Sequence, residues 1–207
     1  MAVPPPELTV RLIPSERGTA PVMTFFDKQT IRREARAARD AFVATNPIAL
    51  SPPVAITDRF APGVTVATYF PIANEADPAP LVAAARAAGA TLALAHVEAR
   101  SAPMRFLEWR EGDVLITGPF GLTQPAANAP EVAPDIILTP LVAYDRTLHR
   151  LGQGAGFYDR AFARYPDAWR VGIAWSAQEV AAVPTDPWDV PLHALLNEHE
   201  FLERGDR

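Results

Sequence analysis

Between Arg150 and Arg160 the chain reads RLGQGAGFYDR, with three alternating glycines, Gly152, Gly154 and Gly156, then an aromatic pair and an acid. Residues without a Cβ let the backbone take positive φ and turn successive N–H groups to one side, the geometry of an anion nest. The following FYDRAFARY carries Tyr158, Phe162 and Tyr165 at i, i+4, i+7 spacing, which predicts a helix. That helix would present unpaired N–H groups and a partial positive charge to the loop, and Arg150 stands at the loop's other side with a planar set of donors. Two familiar phosphate loops do not fit. Counted from Gly152, the last glycine of Gly-x-Gly-x-x-Gly and the second glycine of a Walker A loop both fall on Phe157, and no Lys followed by Ser or Thr comes after it. On spacing alone two readings stand: an anion cradle, or a glycine-rich turn from strand to helix in which Asp159 only complements the helix dipole.

With 207 residues, 49% hydrophobic and 21% charged, the chain suits one globular domain with a full core, or a domain plus a tail. A net charge of −5 argues against broad binding to nucleic acid or anionic membranes, while leaving room for a local cationic pocket. The absence of cysteine removes disulfides, thiolate catalysis and cysteine-ligated zinc together. No apolar run reaches membrane-spanning length and the first residues lack a basic then apolar leader, so a cytoplasmic protein is expected. Of 19 Lys plus Arg only Lys28 is a lysine, which leaves one candidate for any step that needs a compact ammonium. The four histidines, His96, His149, His193 and His199, show no metal-ligand spacing.

Residues 1–22 hold five prolines and no sustained apolar period, and are expected to form an extended or disordered tail that contributes to neither folding nor activity. Residues 23–207 are the expected domain. Met23 directly precedes a capping signal, Thr24 with Asp27, and is itself a candidate start. Ile31, Ala35, Ala38 and Phe42 then mark the apolar face of a helix. Lys28, Arg32 and Arg36 recur every four residues on its other side, a stripe that is ordinarily a solvated face unless a polyanion lies near.

From Gly63 strands and helices alternate. VTVATYF (64–70) and TLALAH (91–96) flank an alanine-rich helix opened by Pro80 and ended at Gly89, a βαβ unit. MRFLEW (104–109) reads as a further strand, and 112–134, with four prolines and three glycines, as a long loop. DIILTPLVAYD (135–145) reads as a buried strand feeding the glycine loop, and WRVGIAW (169–175) as a strand after the next helix. The predicted fold is α/β, a three-layer sandwich with a mostly parallel central sheet and helices on both faces. Its ligands belong at the carboxyl ends of the strands.

Four features in order, Lys28-x-x-x-Arg32, Glu75-x-Asp77, RLGQGAGFYD and WDVPL (188–192), resemble the 5-formyltetrahydrofolate cyclo-ligase family, also called methenyltetrahydrofolate synthetases, over about residues 25–201. The resemblance implies ATP-dependent closure of 5-formyltetrahydrofolate to 5,10-methenyltetrahydrofolate, with Mg²⁺ and release of ADP and phosphate. It implies that Lys28, Arg32 and the loop Arg150, Leu151, Gly152, Gln153, Gly154, Ala155, Gly156, Phe157 and Tyr158 hold the nucleotide. Asp159 and Asp189 would support Mg²⁺. Glu75 would anchor the pterin's polar edge, with Phe70, Gly154 and Tyr158 nearby. The partner is then a small-molecule folate, with no nucleic acid and no membrane, and a monomer rather than an oligomer is expected. Lys28→Ala is expected to impair ATP use while leaving stability almost unchanged, as befits an exposed charge.

Three positions depart from the family's pattern. Leu148 stands where glycine is usual in the turn before Arg150, Gln124 where glutamate often precedes proline, and Ala95 where proline often ends the second strand. Gln124 and Ala95 are expected toward the substrate side. The departures leave two other readings open, an ATP-dependent enzyme acting on another N-formyl compound and a folate- or nucleotide-binding protein without turnover.

Overall fold

The computed structural model describes residues 25–46 and 49–205. The tail, Met23 and the expected cap at Thr24 lie outside these residues. The first helix, α1 (Phe25–Thr45), is rich in alanine and arginine, good helix formers with little side-chain entropy to lose. Its Ala35 is buried, and Ile31 and Phe42 pack against two different apolar clusters. A one-turn helix α2 (Val54–Thr57) leads into β1 (Thr65–Thr68), α3 (Ala79–Ala87) and β2 (Thr91–His96). Pro80 sits in the first turn of α3, where its missing N–H costs nothing. Gly89, at φ +80°, ends the helix: its N–H donates to Arg86 O at 3.0 Å and that of Ala90 to Ala85 O at 3.0 Å, a Schellman closure.

The chain continues through β3 (Arg105–Glu108), a hairpin of β4 (Leu115–Thr117) and β5 (Thr123–Pro125), β6 (Ile136–Pro140), a second hairpin of β7 (Ala143–Tyr144) and β8 (Arg150–Leu151), α4 (Phe157–Arg164), β9 (Trp169–Ile173), β10 (Ala194–Leu196) and β11 (Phe201–Glu203). One sheet has the order β11-β10-β9-β6-β1-β2-β3, with parallel pairing from β10 to β2 and antiparallel strands at both edges. Period-two alternation assigns its faces. Val66, Leu92, Ile136, Leu138, Val171 and Ile173 share one core with Ile56 of α2 and Leu81 and Ala85 of α3. Ala67, Ala93, Ile137 and Leu195 share the other with Ala161 and Phe162 of α4. Helices therefore cover both faces, as expected. β1 leads to β2 on one side and has β6 on the other, so the direction of winding reverses between β1 and β6, and a crevice opens there at the carboxyl ends.

Several boundaries differ from the sequence expectation. β1 stops at Thr68 instead of Phe70, because the buried Tyr69 turns its hydroxyl to Ala76 O at 2.6 Å. The expected loop 112–134 contains the β4–β5 hairpin. Gln124 anchors it: the buried amide accepts from Val97 N at 3.0 Å and donates to Val97 O at 3.2 Å, as a strand residue would. Gln124 thus ties β5 to the residue that follows β2, and Ala95 is buried within β2. Glutamate at 124 could accept but, when ionised, not donate. The run 135–145 is two strands, since β6 ends at Pro140 and the glycine loop is fed by the β7–β8 hairpin. The edge pair β10–β11 was not anticipated.

Leu148 closes the turn of that second hairpin. It takes φ +64° although it is 3% exposed, donates to Asp145 O at 3.0 Å and accepts from Leu192 N at 2.9 Å. Left-handed backbone costs a leucine about 1 kcal/mol that glycine would avoid, while a buried leucine side chain contributes about 2–4 kcal/mol. Leu148→Gly should therefore lower stability by about 1–3 kcal/mol in denaturant unfolding. A stabilised variant would show that strain outweighs packing at this turn.

Candidate functional site

The glycine loop lies at the mouth of the crevice with α1 running across it. The stripe on α1 is not a solvated face. Lys28 is 8% exposed and its ammonium donates to Oδ2 of Asp186 and Oδ2 of Asp189, each at 2.6 Å. Burial pulls its pKa down, but the two carboxylates outweigh it and hold the ammonium above its ordinary value. One turn later Arg32 Nε donates to Gly152 O at 2.8 Å, and a further turn on Arg36 donates to Oε1 of Gln153. Desolvation and the charge of Arg36 pull Arg32 below the ordinary arginine value.

Positive φ occurs at Gly154 (+100°) and Gly156 (+66°) but not at Gly152. A Cβ on Gly154 would also meet the Arg32 guanidinium at 3.4 Å. The loop's carbonyls are drawn outward to arginines: Gly152 O to Arg32, Gly154 O to Arg100 Nη2 at 3.3 Å, and Ala155 O to Arg160 Nη1 at 3.0 Å. Among the described residues no backbone N–H from Gly152 to Gly156 donates to a protein acceptor. Unpaired donors of one loop, followed by the N-terminus of α4, are the chemistry that an anion satisfies.

Arg150 is 8% exposed, and its guanidinium lies 4.5 Å from the Phe162 ring centroid. Nη2 donates to Asp159 Oδ1 at 2.7 Å and Nη1 to Val190 O at 2.7 Å. One buried cation thereby joins the first turn of α4 to the residue after Asp189, so two acids 30 positions apart in sequence share one cleft. That cleft is lined by Lys28, Arg32, Glu75, the whole run from Arg150 to Asp159, and Asp189. Phe70 is not among its walls. It packs edge-on against Trp109, with centroids 5.5 Å apart.

Glu75 faces the loop from the connection after β1. Its Oε2 accepts from Ile72 N at 3.1 Å and its Oε1 from Gln153 Nε2 at 3.2 Å. Burial pushes the carboxyl above its ordinary pKa, and these two donors with the charges of Arg39 and Arg36 pull the other way. Burial also pushes the nearby Tyr158 phenol up. Sequence reasoning missed Asp186, Arg100 and Arg160. Asp186 stands three residues before Asp189 and donates its own N–H to Asp189 Oδ2 at 2.8 Å, a local cap that the spacing TDPWD does suggest.

These parts make an α/β protein whose cleft, at a topological switch point, brings together loop N–H groups, the cations Lys28, Arg32 and Arg150, and the carboxylates Glu75, Asp159 and Asp189. Residues 25–198 match the model of the 5-formyltetrahydrofolate cyclo-ligase family, and the chain belongs to that family. It is 39% identical over 97 residues to the 5-formyltetrahydrofolate cyclo-ligase of Haemophilus influenzae, a stretch that covers 44% of this chain and 52% of that protein. It is 32% identical over 146 residues to the enzyme of the same name from Escherichia coli K12, covering 67% of this chain and 80% of that one. A solved structure of 5,10-methenyltetrahydrofolate synthetase from Aquifex aeolicus superposes with a TM-score of 0.59 at 26% identity, covering 87% of this chain and 86% of that one.

Proposed function

We propose that the chain converts 5-formyltetrahydrofolate to 5,10-methenyltetrahydrofolate in the cytoplasm, turning ATP into ADP and phosphate. The observation that carries this reading is the glycine loop with unpaired N–H groups, which α1 overlies with three cations and Glu75 faces across the same cleft. The formyl oxygen is a poor leaving group. Moving the γ-phosphoryl group of ATP to that oxygen, with ADP as the group that leaves, makes it a good one, after which the N10 lone pair attacks the formyl carbon. The C–O bond breaks, phosphate leaves, and the N10 proton is lost as the N5 lone pair completes the cationic amidine. The protein's task is to position the two ligands and neutralise charge. Lys28, Arg32, Arg150 and the loop N–H groups would hold the triphosphate, and Glu75 would accept hydrogen bonds from the pterin.

Asp159 and Asp189 suit Mg²⁺ on one count: Oδ2 of Asp159 and Oδ1 of Asp189 have no protein donor among the described residues. Mg²⁺ commonly takes one or two carboxylates and completes its shell with water and phosphate oxygens, and when bound it neutralises the β- and γ-oxygens. Asp159→Asn and Asp189→Asn should each raise the Mg²⁺ concentration needed for half-maximal turnover by about tenfold, since an amide accepts a hydrogen bond but does not neutralise a cation. Wild-type magnesium curves for both would place the metal elsewhere; a wild-type curve for Asp189→Asn alone would leave that acid as Lys28's partner only. The decisive experiment is phosphate release with ATP and 5-formyltetrahydrofolate, alongside the absorbance of the methenyl product. Release with other N-formyl compounds but not this one, or binding of both ligands without release, would reject the proposal.

A further inference from the structure

The family's nucleotide loop supplies backbone donors, and Gln153 lies in its middle, yet its side chain turns away from that task. Arg36 donates to its Oε1, and a guanidinium has no acceptor, so the amide orientation is fixed and Nε2 must face the other way. In that direction lies Oε1 of Glu75, 3.2 Å from Nε2. The other Glu75 oxygen is held by Ile72 N, so the carboxylate is clamped by one donor of its own loop and one from the glycine loop. From these contacts, and resting on the folate reading above, we propose that Gln153 is a positioning residue for the folate half of the site: it relays the fixed charge of Arg36 on α1 into the orientation of the Glu75 carboxylate.

A carboxylate that must accept from a pterin needs its free lone pairs aimed at the ligand before it arrives, and Gln153 supplies that orientation. The charged and titratable groups coupled to Glu75 are Arg39 and Arg36 from α1, Tyr158 from α4, and Tyr69 just after β1. Arg36 and Arg39 favour the ionised form, and Gln153 is the neutral donor that adds direction to it. Loss of the Gln153 amide should therefore weaken folate and leave nucleotide alone, the reverse of what membership of a phosphate loop suggests.

The test uses the full chain, with binding of 5-formyltetrahydrofolate and of a non-hydrolysable ATP analogue measured separately by calorimetry. Gln153→Leu removes both side-chain bonds without touching the backbone. Gln153→Glu keeps the partner of Arg36 but sets a like charge against Glu75. Both should weaken folate by about tenfold, and the neutral Gln153→Leu should change the ATP analogue by less than about twofold. The acid limb of kcat/KM for folate should also move to higher pH in Gln153→Leu, because the lost donor no longer holds Glu75 down. Folate affinity within about twofold of wild type in either variant overturns the proposal, as does parallel weakening of the analogue in Gln153→Leu, which would mean a distorted loop. A wild-type chain that does not bind the folate would overturn the functional reading itself, a distinct outcome.

Discussion

Gly154→Val should yield a folded protein with no measurable ATP affinity. The position takes φ +100°, where a β-branched residue is strained by about 1–3 kcal/mol, and its Cβ would point at the Arg32 guanidinium 3.4 Å away. Either the loop swings to a new conformation or Arg32 is displaced from Gly152 O, and both outcomes break the cradle while Asp159, Asp189 and the sheet stay in place. Circular dichroism and thermal melting should show a native fold with a midpoint lowered by a few degrees, about what that strain implies for a domain of this size. Calorimetry with the ATP analogue should show no heat of binding. Micromolar affinity in a variant that still melts cooperatively would refute the anion cradle.

Lys28→Ala should damage both the fold and ATP use, and here the structure revises the expectation from sequence. An exposed helix lysine would be removed at almost no cost to stability. The actual Lys28 is 8% exposed and stands between two carboxylates, so its loss leaves Asp186 and Asp189 facing each other without a cation. Because the Asp186 side chain is 40% exposed, the expected loss is about 1–2 kcal/mol and not the larger figure of a fully buried pair. The KM for ATP should rise by about one to two orders of magnitude. The sign of the pH dependence follows from the raised pKa: the ammonium's contribution is complete below its ordinary value of 10.5 and is lost as pH rises through the higher folded value. Denaturant midpoints for wild type and variant should differ by a constant amount between about pH 6 and 9 and converge above 10.5. Equal stability at neutral pH would return Lys28 to the solvated stripe.

The sequence disclosed those parts of the fold whose pattern is local. The helix of Ile31, Ala35 and Phe42 and the βαβ unit around Pro80 and Gly89 were legible because period and punctuation agree there. What escaped depends on distant partners. Lys28, Arg32 and Arg36 have the same spacing whether they meet water or a loop far along the chain, so only the fold could distinguish the two. The β4–β5 hairpin read as loop because prolines and glycines dominate it, while the pairing that anchors it comes from a side chain, Gln124, against Val97. β10 and β11 are three residues each, too short for alternation to show, and the turn between them rests on Asn197 Oδ1 accepting from the N–H groups of His199 and Glu200 at 2.8 Å. At the site, the glycine loop and its acids were apparent as residue types, but the direction of the Gln153 amide and the seclusion of Arg150 were not.

The contact of Lys28 with Asp186 and Asp189 spans 158 and 161 positions, nearly the full described chain. During vectorial synthesis α1 emerges before every strand of the sheet, and Asp186 and Asp189 only after β9. Until then Lys28 lacks both of its carboxylates, and the β7–β8 hairpin that Ala35 packs against is itself made only after β6. Contacts of such range carry a large loop-closure cost and form late, so the binding site is one of the last features to assemble. A nucleotide bridging α1 and the glycine loop, as proposed above, would then act as a clasp between segments 120 positions apart, slowing their separation in proportion to its occupancy.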